Sequence, residues 1–84
     1  MYEVYLEDSA KREFLKLQIA FRKRIVEQFR ELEKNPRKAG SRKLVGSDND
    51  WRIRVGDFRI VYEIDDDSKI IKVNRIRHRK EVCR

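Results

Sequence analysis

Arginine at positions 52, 54, 59, 75, 77 and 79, joined by Lys43 and Lys80, gives the second half of the chain its chemical character. A guanidinium group is planar, stays charged, and offers paired N–H donors that match two oxygens of a phosphate. Like charges gathered on one surface repel, so folding alone gives no reason to collect them there. A bound phosphate relieves that repulsion. The chemistry to expect is a grip on a polyanion and, where a reaction adds charge at phosphorus, stabilisation of that charge. Arginine is a poor general base, because it hardly ever loses its proton. His78 is the only histidine, which excludes a two-histidine acid–base pair. Set between Arg77 and Arg79, it reads as a packing or orienting residue. With one cysteine and one histidine, no metal cluster and no cofactor are expected. Glu81 is a weak candidate base, being close to an exposed terminus.

The charge distribution supports the same chemistry. The chain has 84 residues and a formal net charge of +7. Residues 1–36 hold 8 Lys/Arg against 7 Asp/Glu, whereas residues 37–84 hold 14 against 8. Such asymmetry points to a polyanion facing the second half, and nucleic acid is the commonest one. A solvated basic face, neutralised by Glu63, Asp65 or Asp66, is the bland alternative. A membrane surface fits poorly, since no helix combines a basic face with exposed large apolar residues. Charged residues are 44% of the chain, yet clear apolar periodicity argues against disorder. At this length one domain, residues 1–84, is expected. Cys83 is the sole cysteine, so no internal disulfide forms and a reducing cytoplasm is the simpler location. No leader pattern or membrane-length apolar run is read in the sequence.

The elements that must position the arginines follow from spacing. Tyr2, Val4 and Leu6 alternate with Glu3, Tyr5 and Glu7, as in a half-buried strand. Asp8 and Ser9 suit a helix N-cap, and Ala10, Phe14 and Leu17 follow at helical spacing. Phe21, Ile25, Phe29 and Leu32 mark a second helix; two helices in a hairpin are preferred, with Gln18 to Ala20 as the break. Asn35-Pro36 ends the second helix. Strands are then expected near Trp51–Val55, Phe58–Ile64 and Lys69–Arg77, with turns at Gly56-Asp57 and Asp65–Ser68. A short strand near Lys43–Val45 precedes them. This order predicts an α+β fold: an N-terminal strand, a two-helix hairpin, then three to four antiparallel strands, with the helices on one face of the sheet.

Strand alternation sorts the side chains. Trp51, Ile53 and Val55 share one face, leaving Arg52 and Arg54 on the other. Phe58, Ile60, Tyr62 and Ile64 oppose Arg59, Val61 and Glu63. If the apolar sets pack on the helices, Arg52, Arg54 and Arg59 share the uncovered face. Arg75 and Arg77, then Arg79 and Lys80, extend the basic region.

These residues carry a resemblance. Lys43-Leu44-Val45-Gly46, the stretch from Trp51 to Ile64, and Arg77-His78-Arg79-Lys80-Glu81-Val82 resemble the RelE branch of the RelE/ParE toxin superfamily, as do Ala10-Lys11, Leu17 and Leu32-Glu33-Lys34-Asn35-Pro36. The resemblance implies a RelE-like fold and the toxin of a type II toxin–antitoxin system, an mRNA interferase that cuts message in the ribosomal A site. It implies attack by an RNA 2′-hydroxyl on the adjacent phosphorus, giving a 2′,3′-cyclic phosphate and a 5′-hydroxyl. By position, Arg52 and Arg54 match the family's basic strand pair, Arg59 its phosphate-binding arginine and Arg77 the arginine near its C-terminal end. Lys43, Arg75, Arg79 and Lys80 are assigned to RNA binding. The implied partners are a cognate antitoxin, the ribosome with its message, and operator DNA only through the antitoxin complex.

Cys83 departs from the pattern, standing where the family usually has tyrosine. A thiol cannot stack on a base, although it can handle a proton. It is read as an attenuating change, a functional replacement, or a substitution that makes a toxic chain expressible; at a frayed terminus it can also be merely a small residue. Two other functions stay open: a ParE-like DNA gyrase inhibitor, and an attenuated toxin acting mainly through its antitoxin complex.

Overall fold

The alternating and helical spacings resolve into five strands and two helices in a computed structural model, which describes residues 1–46 and 49–78. In chain order these are β1 (Glu3–Leu6), α1 (Asp8–Leu15), α2 (Ile19–Lys34), β2 (Arg42–Lys43), β3 (Asp50–Val55), β4 (Phe58–Asp65) and β5 (Ile70–His78). The α+β architecture expected from the sequence is the one observed.

Neither Asp8 nor Ser9 caps α1. Glu7 takes the cap position with an extended backbone and makes no side-chain cap bond. Asp8 lies instead in the first turn, where a negative charge suits the positive end of the helix. Ser9 Oγ donates to the Asn74 carbonyl at 2.8 Å and so ties α1 to β5. Leu17 falls just past the end of α1. There Arg22 reaches back from α2, donating through Nε to the Leu17 carbonyl at 3.0 Å and through Nη2 to that of Leu15. These bonds occupy carbonyls that the end of a helix leaves without partners, and they close the hairpin at residues 16–18. The α2 helix buries Ile25, Phe29 and Leu32 and stops at Asn35, whose backbone is extended before Pro36.

The strand order is β1-β5-β4-β3-β2. β2 to β5 are antiparallel to their neighbours, but β1 runs parallel to β5, so the sheet is mixed rather than purely antiparallel. Three chain reversals, from β2 through β5, bring the last strand back beside β1 in the same sense. The short second strand also begins one residue earlier than expected. Ile53, Val55, Ile60, Tyr62, Ile64, Ile71, Val73 and Ile76 form the buried face and pack with Ala10, Ile25, Phe29 and Leu32. Burying each large aliphatic among them contributes ~1.5–3 kcal/mol. Tyr62 is fully buried, and its hydroxyl donates to the Pro36 carbonyl at 2.8 Å. Burial pushes the Tyr62 phenol up from its usual pKa, which keeps it protonated as the donor.

One irregularity decides where the last arginines go. Val61 faces Arg75, but its neighbour Tyr62 faces Val73, a β-bulge that leaves one extra residue in β5. Simple alternation from Ile71 and Val73 would send Arg75 and Arg77 into the core. The bulge instead turns Ile76 inward, 3% exposed, and both arginines to the open face.

Candidate nucleic-acid interface

Cross-strand register assembles the arginines into two rows. Arg54 stands opposite Arg59, and Arg59 opposite Arg77. Two residues further along, Arg42 stands opposite Arg52, Arg52 opposite Val61, and Val61 opposite Arg75. Directly opposed side chains have Cβ atoms ~5 Å apart, where like charges destabilise the pair. Arg52, Arg54 and Arg59 meet around one shallow pocket of about 170 Å³, together with Gly40, Arg42 and Ile53. Arg54 is partly fixed, its Nε donating to the Gly56 carbonyl at 2.9 Å within the hairpin turn. That turn needs a residue at φ +60, and a Cβ on Gly56 would approach the Arg24 guanidinium to 3.3 Å. Arg24 thus packs against the same turn from α2.

Glu63, Asp65 and Asp66, the carboxylates weighed as neutralising this face, are engaged elsewhere or stand back. Arg37 grips Asp66 with both terminal nitrogens, at 3.2 and 2.9 Å, while stacking over Trp51 at 5.4 Å. The Arg37 and Tyr2 hydrogen bonds hold the Asp66 carboxyl at a pKa of about 2. Asp65 accepts the Asp67 and Ser68 amides at 3.1 and 3.2 Å, and the Ser68 bonds hold its pKa below the ordinary value. Glu63 lies in the next row, between Asp50 and Lys72. Among the described residues, no carboxylate comes within 4.0 Å of Arg42, Arg52, Arg54 or Arg59.

Arg75 is differently placed. Glu13 of α1 accepts its Nε at 3.2 Å and its Nη2 at 2.9 Å, and takes the Ile76 amide at 2.7 Å as well. The first half of β5 is covered by β1, so Glu13 serves the edge that β1 leaves open. Lys43 pairs with Trp51 and therefore stands on the opposite face, while Arg42, which sequence reasoning missed, joins the arginines. A one-residue change in where β2 begins exchanges the two. His78 pairs with Phe58 and meets its ring edge-on at 5.2 Å; Phe58 meets Phe21 at 5.3 Å. It sits in an aromatic chain across the sheet from Arg77, in keeping with a packing role. Arg79, Lys80, Glu81 and Cys83 lie outside the described residues.

Comparison with known proteins places this geometry. Residues 4–83 match the family described as the ParE toxin of the type II toxin–antitoxin system, parDE. No match is found among curated proteins. Among solved structures, the isolated E. coli RelE toxin is similar at a TM-score of 0.83 and 22% identity, covering 93% of this chain and 84% of that one. The archaeal RelE–RelB complex from Pyrococcus horikoshii OT3 is similar at 0.81 and 28%, covering 93% and 94%. The RelBE2 toxin–antitoxin complex from Mycobacterium tuberculosis is similar at 0.81 and 25%, covering 92% and 96%.

Proposed function

The chain belongs to the ParE toxin family of type II toxin–antitoxin systems, within the RelE/ParE superfamily and RelE-type in fold, and from this we propose that it is a ribosome-dependent endoribonuclease that cuts mRNA in the A site. The observation that carries the reading is the row Arg54–Arg59–Arg77 beside a pocket lined by Arg52, Arg54 and Arg59. A gyrase-binding surface has no need of guanidinium groups gathered around one hollow. A nuclease does.

In this reading Arg59 and Arg54 hold the scissile phosphate, Arg52 lies nearest the attacking 2′-hydroxyl, and Arg77 donates near the leaving oxygen. The 2′-oxygen gives up its proton and bonds to phosphorus while the bond to the 5′-oxygen breaks. That oxygen takes up a proton, leaving a 2′,3′-cyclic phosphate and a 5′-hydroxyl. The arginines stabilise the charge that grows on the phosphoryl oxygens and do not transfer the protons. Cys83 stands where the resemblance puts the family's tyrosine, and in this reading it either attenuates turnover, replaces that tyrosine's proton handling, or makes a toxic chain expressible. Arg75, Arg79 and Lys80 contribute long-range attraction to RNA, Arg75 less so because Glu13 holds its fork, while Lys43 stands on the opposite face and Arg42 takes its place.

Purified protein added to translating ribosomes, with message ends mapped by primer extension, tests the proposal. Cuts within A-site codons support it; intact message refutes it. A second reading draws on the matched family itself, whose description names ParE: inhibition of DNA gyrase, which would give cleaved DNA in a gyrase assay. Similar toxins are solved bound to RelB-type antitoxins. By extension, this chain, acting as a single domain in the cytoplasm, pairs with an acidic or amphipathic antitoxin and meets operator DNA only through that complex. No helix among the described residues is long and apolar enough to cross a membrane.

A further inference from the structure

Building on the reading of this face as an RNA site, we propose that it takes two successive phosphates of one strand, and that Arg42 holds the second. The two arginine rows lie two residues apart along the strands, a step of about 7 Å, which suits neighbouring phosphates of an extended single strand. Arg42 and Arg52 oppose one another in the second row and line the same pocket as Arg54 and Arg59. The remaining places in that row offer little: Val61 is uncharged, and the Arg75 fork is on Glu13. The strand therefore crosses diagonally, from Arg77, Arg59 and Arg54 toward Arg52 and Arg42 at the β2 edge. Gly40 leaves the pocket rim open there, with nothing within 4 Å of where its Cβ would stand. In the row beyond, Asp50 and Glu63 stand on β3 and β4, with Lys72 further off on β5, so a third phosphate on this path toward the β2 edge meets repulsion. Along β3 and β4 the face reads cationic, cationic, then acidic, and this fixes the length of strand it accepts.

Fluorescent 2′-deoxy oligonucleotides with one, two, three or four internucleotide phosphates test this by titration with the purified chain. They lack the attacking hydroxyl, so binding is read without cleavage. Passing from one phosphate to two should tighten binding about tenfold, and the third should add less than twofold. Arg42→Ala should erase the one-to-two gain and lower the salt slope for the two-phosphate ligand by about 0.7. Arg42→Lys should keep part of the gain, because the charge stays while the fork is lost. Glu63→Gln should open a gain at the third phosphate. Arg42 is exposed on a two-residue strand, so both of its variants should melt with the parent chain. Affinity that climbs evenly through four phosphates, or an Arg42→Ala loss equal for every length, would overturn the proposal. Intact message on ribosomes alongside a clear two-phosphate step would refute the nuclease and leave this site standing; cleavage without that step would do the reverse.

Discussion

Arg77 faces Arg59 across β4 and β5 because β5 holds one residue more than β4 at the bulge after Val61. The pairing sets two like charges side by side, where they repel. If both arginines hold the same reacting group, removing either should cost much of what removing both costs. Arg59→Ala and Arg77→Ala should each lower kcat/KM by ~10²-fold or more, and the double variant should fall short of the product. Ribosome cleavage assays on the four proteins give the answer; fully multiplicative losses would mean the two act independently.

The fold should barely notice the loss of Arg59. Its side chain stands on the uncovered face, with no carboxylate within 4.0 Å among the described residues. Arg59→Ala should leave the melting temperature unchanged or slightly raised. A drop of ~8 °C, equivalent to about 1–2 kcal/mol in a domain of this size, would contradict that placement.

Glu13 should behave in the opposite way. Its carboxylate satisfies both the Arg75 fork and the Ile76 amide at the open β5 edge. Glu13→Ala removes these hydrogen bonds and should cost ~1–3 kcal/mol, measured by urea unfolding. In a double-mutant cycle with Arg75→Ala the effects should be non-additive.

Acid should unfold the protein through the same carboxylates. Burial pushes the Glu13 carboxyl up, but the Arg75 and Ile76 hydrogen bonds outweigh it and leave its pKa below the ordinary value. The Arg37 and Tyr2 hydrogen bonds hold Asp66 at about 2. A carboxyl with a lower pKa in the folded chain adds stability above its unfolded pKa and loses it as pH falls through the folded one. Stability should therefore hold down to about pH 5 and decline from ~4.5 to 2. Asp66→Asn should flatten the lower part of that decline in urea melts taken at successive pH values.

Restoring the family side chain tests the attenuation. Cys83→Tyr should make expression lethal in cells without an antitoxin, while the original chain is tolerated. Harmless expression of both, in the same cells, would sink the interferase reading.

The hairpin at the site was legible because its residues obey period two, Val61 on the arginine face being the exception. Trp51, Ile53 and Val55 against Arg52 and Arg54, joined by Gly56-Asp57, leave one way to bury the apolar set. Asn35-Pro36 ended a helix for a local reason. What escaped was set by partners distant in sequence. No local signal says that β1 seeks β5, or that Ser9 prefers the Asn74 carbonyl to a cap. The expected position of Arg77 was reached without its cause, since plain alternation from Ile71 predicts the reverse. Arg42 was missed because a two-residue strand has too little pattern to fix its register, and Lys43 took its place.

β1 lies parallel to residues that follow it by almost seventy positions, Glu3 beside Ile70 and Leu6 beside Val73. A nascent chain can form α1 and α2 early, but its first strand has no mate until residues 70–73 have been made. Closing so wide a loop is slow and comes late. Synthesis thus delivers the chain with its sheet unclosed, and the edge of β5 that β1 will cover stays open until the last strand has emerged.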